Sequence, residues 1–212
     1  ILIENGYNIT MDEREADVIL INTCAVRDNA EKRIHNRVHD LNAQRKKNPY
    51  LKIGIIGCMA ERLKESLINE DKVDIVAGPD SYRKLPSLID ESKKNNASID
   101  VELSIDETYQ DIIPIEMNTN NVTAFISIMR GCENFCSYCV VPYTRGKERS
   151  RDPKTIVEQA RNLFDQGYRD ITLLGQNVNS YIYNKGEEDK EVNFARLMAM
   201  VAEINPLLRV RF

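Results

Sequence analysis

Histidine is scarce in this chain of 212 residues: there are only two, His35 and His39, four positions apart. That scarcity limits any zinc site built on imidazole, since a site closed by protein needs four ligands. No apolar run approaches the ~18 residues of a membrane-spanning helix, and no signal-peptide pattern opens the chain. Both absences point to a protein that stays off the membrane and in the cytoplasm. An excess of positive charge is missing too. With 29 Lys and Arg against 33 Asp and Glu the net charge is −4, so there is no general electrostatic case for nucleic-acid binding. Five cysteines is an odd number with three of them clustered, which argues against a disulfide framework and for reduced thiols.

What is present is globular: 42% apolar residues with 29% charged, long enough for one large domain or two ordinary ones. The ends are abrupt. "ILIENGYNIT" opens without Met and reads as the last turn of a helix capped by Gly6, and "PLLRVRF" reads as a strand beginning. A fragment lacking material at both ends is the expectation.

Three apolar runs punctuate the first half. "DVILINT" (17–23) ends at Cys24, "LKIGIIG" (51–57) ends at Cys58, and "VDIVAG" covers 73–78. Between the first two the spacing predicts a helix with Asp28 as cap, Glu31 as its capping-box partner, and Ala30, Ile34, Val38 and Leu41 on one face. Asn48-Pro49 stops it. His35 and His39 lie off that stripe and read as solvated. Strands alternating with helices imply a parallel sheet with helices on its faces.

From about Glu91 to Asn121 the pattern dissolves into polar, turn-rich sequence, with "DIIPIE" (111–116) as a candidate edge strand. A second series follows. "TAFISIM" is a strand. Asp152 caps a helix with Pro153 first and Ile156, Val157, Ala160, Leu163 and Phe164 as its stripe, closed by Gly167. "DITLLG" (170–175) is the next strand, Asn193 to Ile204 the next helix, and "LLRVRF" a third strand. The fold expected is α/β: a parallel-sheet domain over 1–100, a linker over 101–121, and from 122 to 212 the first part of an open, partial TIM-like barrel.

Cys24, Cys58 and Cys132 each follow the C-terminal end of an expected strand, the edge at which parallel α/β sheets and barrels bind ligands. Cys132, Cys136 and Cys139 have the spacing C-x3-C-x2-C. A zinc ion here lacks a fourth ligand, and a zinc site joining His35 and His39 to Cys24 and Cys58 is a separate alternative, as are structural thiols with no cofactor. An iron–sulfur cluster suits three thiolates better, because three ligands on a 4Fe–4S cluster leave one iron open for a substrate or cosubstrate. Directly after the thiols come Arg145, Lys147, Arg149 and Arg151, read either as a solvated basic loop or as a phosphate contact.

The C-x3-C-x2-C loop after a strand, with Tyr138 just before the last cysteine, resembles the cluster loop of the radical S-adenosylmethionine (SAM) enzymes. The longer string "ISIMRGCENFCSYCVVPYTRGKERSR" is similar to their methylthiotransferase branch, and most to its tRNA-acting type. "ADVILINTCAVRDNAEKR", "GIIGCMAER" and "LLGQNVNSY" (173–181) carry the same resemblance, so it extends over nearly the whole chain.

The resemblance implies two 4Fe–4S clusters and SAM. Cys132, Cys136 and Cys139 would bind the cluster whose open iron chelates SAM, with Tyr138 beside it and Gly175, Gln176 and Asn177 at the methionine moiety. Cys24 and Cys58 would be two of three ligands to an auxiliary cluster carrying the sulfur to be inserted. The family pattern has its third cysteine upstream of these two, where this sequence has none. Either the fragment starts after it, as the abrupt opening favours, or the auxiliary site is incomplete. One SAM would methylate that sulfur, and a second would yield the 5′-deoxyadenosyl radical that removes hydrogen from carbon 2 of an isopentenyl-modified adenosine beside the anticodon. An unactivated C–H bond offers acid–base catalysis no handle, and no residue is assigned as a proton-transfer catalyst. The implied partners are a tRNA anticodon stem-loop and a reducing protein electron donor, the enzyme itself acting as a monomer. Two other readings stand beside it: a methylthiotransferase of another substrate (a threonylcarbamoyl-adenosine tRNA or a ribosomal-protein aspartate), and a non-catalytic iron–sulfur or zinc module.

Overall fold

The first two apolar runs pair side by side in the computed structural model, which describes residues 1–24, 28–112, 122–184 and 191–212. The chain divides into two units, one of 1–104 with 135–145 and one of 105–134 with 146–212.

In the first unit, β1 (Val18–Thr23), α1 (Asp28–Gln44), β2 (Lys52–Gly57), α2 (Cys58–Leu63), α3 (Glu65–Asn69), β3 (Ile75–Ala77), α4 (Leu85–Asn95) and β4 (Ser98–Asp100) follow one another. The four strands form one parallel sheet in the order β1-β2-β3-β4. Alternation along the strands sends side chains to two cores. Ile53, Ile55 and Val76 pack with Val38 and Leu41 of α1, Met59 and Ala60 of α2 and Leu67 of α3. Ile75 and Ala77 pack on the other face with Leu85, Leu88 and Ile89 of α4. Burial on both faces is why these strands read as unbroken apolar runs.

Several local expectations shift. Residues 3–5 form a 3-10 turn ending at Gly6, not an α-helical turn. The stripe of α1 enters the core from Ile34 onward, and Ala30 is exposed. Glu31 is not free for a capping box: its carboxylate pairs with the Arg62 guanidinium of α2. The cap expected at Asp28 lies outside the described side chains, and most of the edge strand expected at 111–116 lies outside the described residues. The α/β pattern also runs further than the polar sequence implies, since α4 reaches Asn95 and β4 adds a fourth strand. His35 is held by Asp71, its Nδ1 2.8 Å from Oδ1, while His39 is solvated as expected.

The remaining elements are β5 (Thr123–Ser127), β6 (Met129–Arg130), α5 (Val141–Arg145, in the first unit), β7 (Arg149–Ser150), α6 (Pro153–Asp165), β8 (Asp170–Leu174), β9 (Ile182–Tyr183), β10 (Val192–Asn193), α7 (Phe194–Ala202) and β11 (Arg209–Arg211). In the second unit β5, β8 and β11 make a parallel sheet in the order β11-β8-β5, the start of a barrel-type βα series. Both helices begin on side-chain caps. Asp152 Oδ1 accepts the Lys154 N–H at 2.9 Å before Pro153, and Asn193 Oδ1 accepts the Arg196 N–H at 3.0 Å. Ile156 and Ala160 of α6 and Leu197 and Val201 of α7 bury against Ile126, Ile171 and Leu173 of the sheet.

The basic run is not a solvated loop. Arg149 and Arg151 are each only 6% exposed. The Arg151 guanidinium donates to the carbonyls of Ser127, Gln110 and Thr155 and to Gln159 Oε1, so its donors are used within the unit. The backbone carbonyl of Arg151 in turn accepts the hydroxyl of fully buried Tyr181 at 2.7 Å. Burial pushes that phenol well up, so it stays a donor at any ordinary pH. Tyr181→Phe deletes this hydrogen bond without changing ring packing, and is expected to cost about 1–3 kcal/mol in urea unfolding of the second unit. An unchanged midpoint would show the bond to be worth nothing net.

Glu61 of α2 is a second buried polar group, its Oε2 filling the space that a Cβ at Gly78 would need. Burial raises its carboxyl pKa above the ordinary 4.5, opposed by Lys64. The folded state therefore favours the protonated form, so the stability this site contributes is full below that ordinary value and is lost as pH rises through the raised one. Glu61→Gln should accordingly stabilise the protein more at pH 8 than at pH 4, read from denaturant midpoints at the two pH values.

Candidate functional site

The last rung of the β1–β2 ladder pairs Thr23 with Gly57, and the next residue on each strand is a cysteine. Parallel pairing in this register brings Cys24 and Cys58 out at the same carboxyl edge of one sheet. Gly57 makes the rung tight. Its φ is 95°, and a Cβ there would lie 2.5 Å from the Thr23 carbonyl oxygen. The Thr23 hydroxyl donates to the Ile56 carbonyl at 2.7 Å and closes the same rung from the other side. Cys24 is exposed, whereas Cys58, the first residue of α2, is buried. The Nε–H of Arg145, at the end of α5, donates to Cys58 Sγ across 3.2 Å.

The three clustered thiols are carried by the loop that leaves β6. Cys132 is buried and belongs to the second unit; Cys136 is exposed, Cys139 half-buried, and both belong to the first. Entry to the loop is fixed by backbone. Gly131 has φ 78°, and a Cβ on it would fall 2.0 Å from the Lys147 carbonyl oxygen, where the returning strand crosses. The Cys132 N–H donates to the Gly146 carbonyl at the same crossing. Further on, the Cys139 N–H donates to the Cys136 carbonyl at 2.9 Å, making a tight turn around Tyr138. Phe135 adopts φ 46°, a left-handed conformation unusual for an aromatic residue, and its ring meets Tyr143 edge-on at 6.0 Å. Tyr138 is 88% exposed.

The strand-end residues after β8 reach back to this loop. Gln176 Oε1 accepts the Gly131 N–H at 2.7 Å, Gly175 lies against the Met129 side chain, and Asn177 donates to the Ser180 hydroxyl. Gln176 is thus an element of loop positioning, a role the sequence pattern did not reveal. The Arg145–Cys58 contact was equally hidden, because Arg145 reads locally as one member of a basic run.

Every cysteine is a free thiol. Among the described residues no group of three or more His, Cys, Asp or Glu side chains is gathered as a metal site, and His35 is held by Asp71. The donor chemistry nevertheless fits an iron–sulfur cluster. Three thiols stand on one short loop whose entry is locked by backbone, the all-thiolate donor set that iron–sulfur clusters take.

Residues 1–78 match the family described as "Uncharacterized protein family UPF0004", and residues 126–210 match the "Radical SAM superfamily". The chain is 54% identical, over 100% of its length and 46% of the relative's, to a tRNA-2-methylthio-N(6)-dimethylallyladenosine synthase of Amoebophilus asiaticus. To the protein of the same name from Porphyromonas gingivalis (strain ATCC BAA-308 / W83) it is 51% identical, covering 98% of this chain and 45% of the other. The chain therefore spans about half the length of the curated relatives it matches. Among solved structures, a radical S-adenosylmethionine methyltransferase from Kitasatospora setae superposes with a TM-score of 0.55 at 11% identity, over 93% of this chain and 44% of that one. At that identity the likeness is one of fold.

Gly131→Ala tests the locked entry. The φ alone should cost about 1–3 kcal/mol, and the clash is with backbone, which cannot rotate away. We expect lowered stability of the second unit and reduced iron uptake on anaerobic reconstitution. Normal iron content together with an unchanged unfolding midpoint would show that the crossing is not a constraint.

Proposed function

We propose that this chain, a member of the radical SAM superfamily with a UPF0004 domain ahead of its barrel strands, is the catalytic part of a tRNA methylthiotransferase. The observation that carries the reading is the pair of thiol sets after strands: Cys24 and Cys58 one residue beyond a single rung of the first sheet, and C-x3-C-x2-C on the locked loop that leaves β6 of the short β6–β7 ladder. The named relatives support the same reading through their similarity over the whole chain.

In this reading Cys132, Cys136 and Cys139 hold a SAM-binding 4Fe–4S cluster, and Cys24 and Cys58 contribute to an auxiliary 4Fe–4S cluster. When bound, these groups supply the electron for reductive cleavage of SAM and the sulfur to be transferred. Gly131 and Gln176 hold the entry of the cluster loop. Tyr138 on the cluster loop and the strand-end residues Gly175, Gln176 and Asn177 are the further residues assigned to SAM. The substrate is N6-isopentenyladenosine next to the anticodon, modified at carbon 2. Its base is splayed out of the anticodon loop, because an enclosed site cannot reach a stacked base. Electrons come from a reducing protein, and the enzyme works in the cytoplasm as a monomer. Among the described residues no helix is long and apolar enough to cross a membrane.

Anaerobic reconstitution with iron and sulfide, followed by SAM and a chemical reductant, tests the assignment. Alanine at Cys132, Cys136 or Cys139 is expected to reduce 5′-deoxyadenosine release to background. Cys24→Ala and Cys58→Ala should retain release of deoxyadenosine but lose methylthio transfer to tRNA. Release that survives loss of the loop thiols would sink the radical assignment. If both activities always fall together, the division between two thiol sets is wrong, and iron binding with no SAM cleavage in the parent protein would mark a non-catalytic module.

A further inference from the structure

Arg145 joins two parts of the first unit that lie far apart in sequence. The segment 135–145 carries Cys136 and Cys139, turns at Tyr138 and continues directly into α5. That helix is anchored by buried Pro142 and Thr144, with the Thr144 hydroxyl donating to the Val140 carbonyl at 3.2 Å. The anchoring gives the last residue of α5 a defined position. From there Arg145 Nε donates to the sulfur of Cys58 at 3.2 Å.

The contact has a chemical direction. Guanidinium is charged at every accessible pH, and its Nε–H has a fixed orientation in the plane of the group. Cys58 is 4% exposed, so water competes little for its sulfur. Hydrogen bonds to cluster-ligand sulfurs, and positive charge near them, favour the electron-rich state and raise the reduction potential.

We propose that Arg145 is a positioning residue for the auxiliary site: by donating to the Cys58 sulfur it raises the reduction potential of the cluster that Cys58 helps to hold. The proposal rests on the reading of Cys58 as a cluster ligand. Its consequence is that one short segment supplies two thiols to the SAM-binding cluster and sets the potential of the other cluster.

The test uses the full-length protein bearing this sequence, reconstituted with iron and sulfide, in a background where Cys132, Cys136 and Cys139 are all alanine. Only the auxiliary cluster then contributes to an EPR-monitored potentiometric titration. Arg145→Met should lower the midpoint potential by about 59 mV, a tenfold change in a one-electron equilibrium, with iron content retained. Arg145→Lys, which keeps charge but not the Nε–H geometry, should fall between Arg145→Met and the parent. If Arg145→Met fails to load iron, Arg145→Gln, which retains polarity, decides by the same shift. A parent-like potential at full iron content in the loaded neutral variant overturns the proposal while leaving the two-cluster reading standing. Absence of iron in the triple-alanine background overturns that reading and the proposal together.

Discussion

The site depends on backbone contacts too close to admit a side chain. At Gly57 the chain turns out of β2 against the Thr23 carbonyl, and at Gly131 it leaves β6 against the Lys147 carbonyl. Both residues have φ in the left-handed region, and both precede a cysteine directly. In each case the glycine lets a strand end approach a neighbouring backbone, and the thiol on the next residue inherits a fixed origin. Flexible loops would leave these thiols to find their partners at an entropic cost. The constraint is built into the backbone, and it gives a reason for candidate ligands to follow strands.

Around those fixed points the positive charges are turned inward. Arg151 spends its donors on Ser127, Gln110, Thr155 and Gln159, and Arg145 reaches the Cys58 sulfur. A run of cations beside a cysteine loop invites assignment to RNA phosphate, yet two of its four members are buried. With a net charge of −4 and only Lys147 of the run exposed, the run is a weaker electrostatic platform for a polyanion than its sequence suggests.

The strands and long helices were legible because their signals are local. "LKIGIIG" is largely buried, "DVILINT" packs partly buried on both faces, and α6 and α7 carry their own caps and stripes. β4 was not legible, since three residues of an edge strand, "SID", carry too little apolar pattern to stand out from polar neighbours. Glu31 shows the limit of a local rule: the capping-box spacing is present, but Arg62, 31 positions away, takes the carboxylate. Gln176 and Arg145 follow the same logic. Their partners, Gly131 and Cys58, lie 45 and 87 residues away, and only the fold brings them together. The grouping of Cys132, Cys136 and Cys139 is plain in the sequence; the hydrogen bonds around them are not.

The two thiol sets differ in environment, and that difference bears on the two redox roles proposed for them. Cys58 is enclosed and hydrogen-bonded by a guanidinium, while Cys136 is exposed and Tyr138 beside it almost fully so. Solvent exposure and hydrogen bonds to sulfur are the main protein controls on cluster potential. An exposed loop suits a cluster that must admit a cosubstrate to an open iron and receive an electron from a partner. An enclosed sulfur that accepts from a guanidinium suits the cluster proposed to hold sulfur until it is transferred. Cys136, Cys139 and Arg145 share one segment of the first unit, so a single stretch of chain carries two thiols of one set and touches Cys58 of the other.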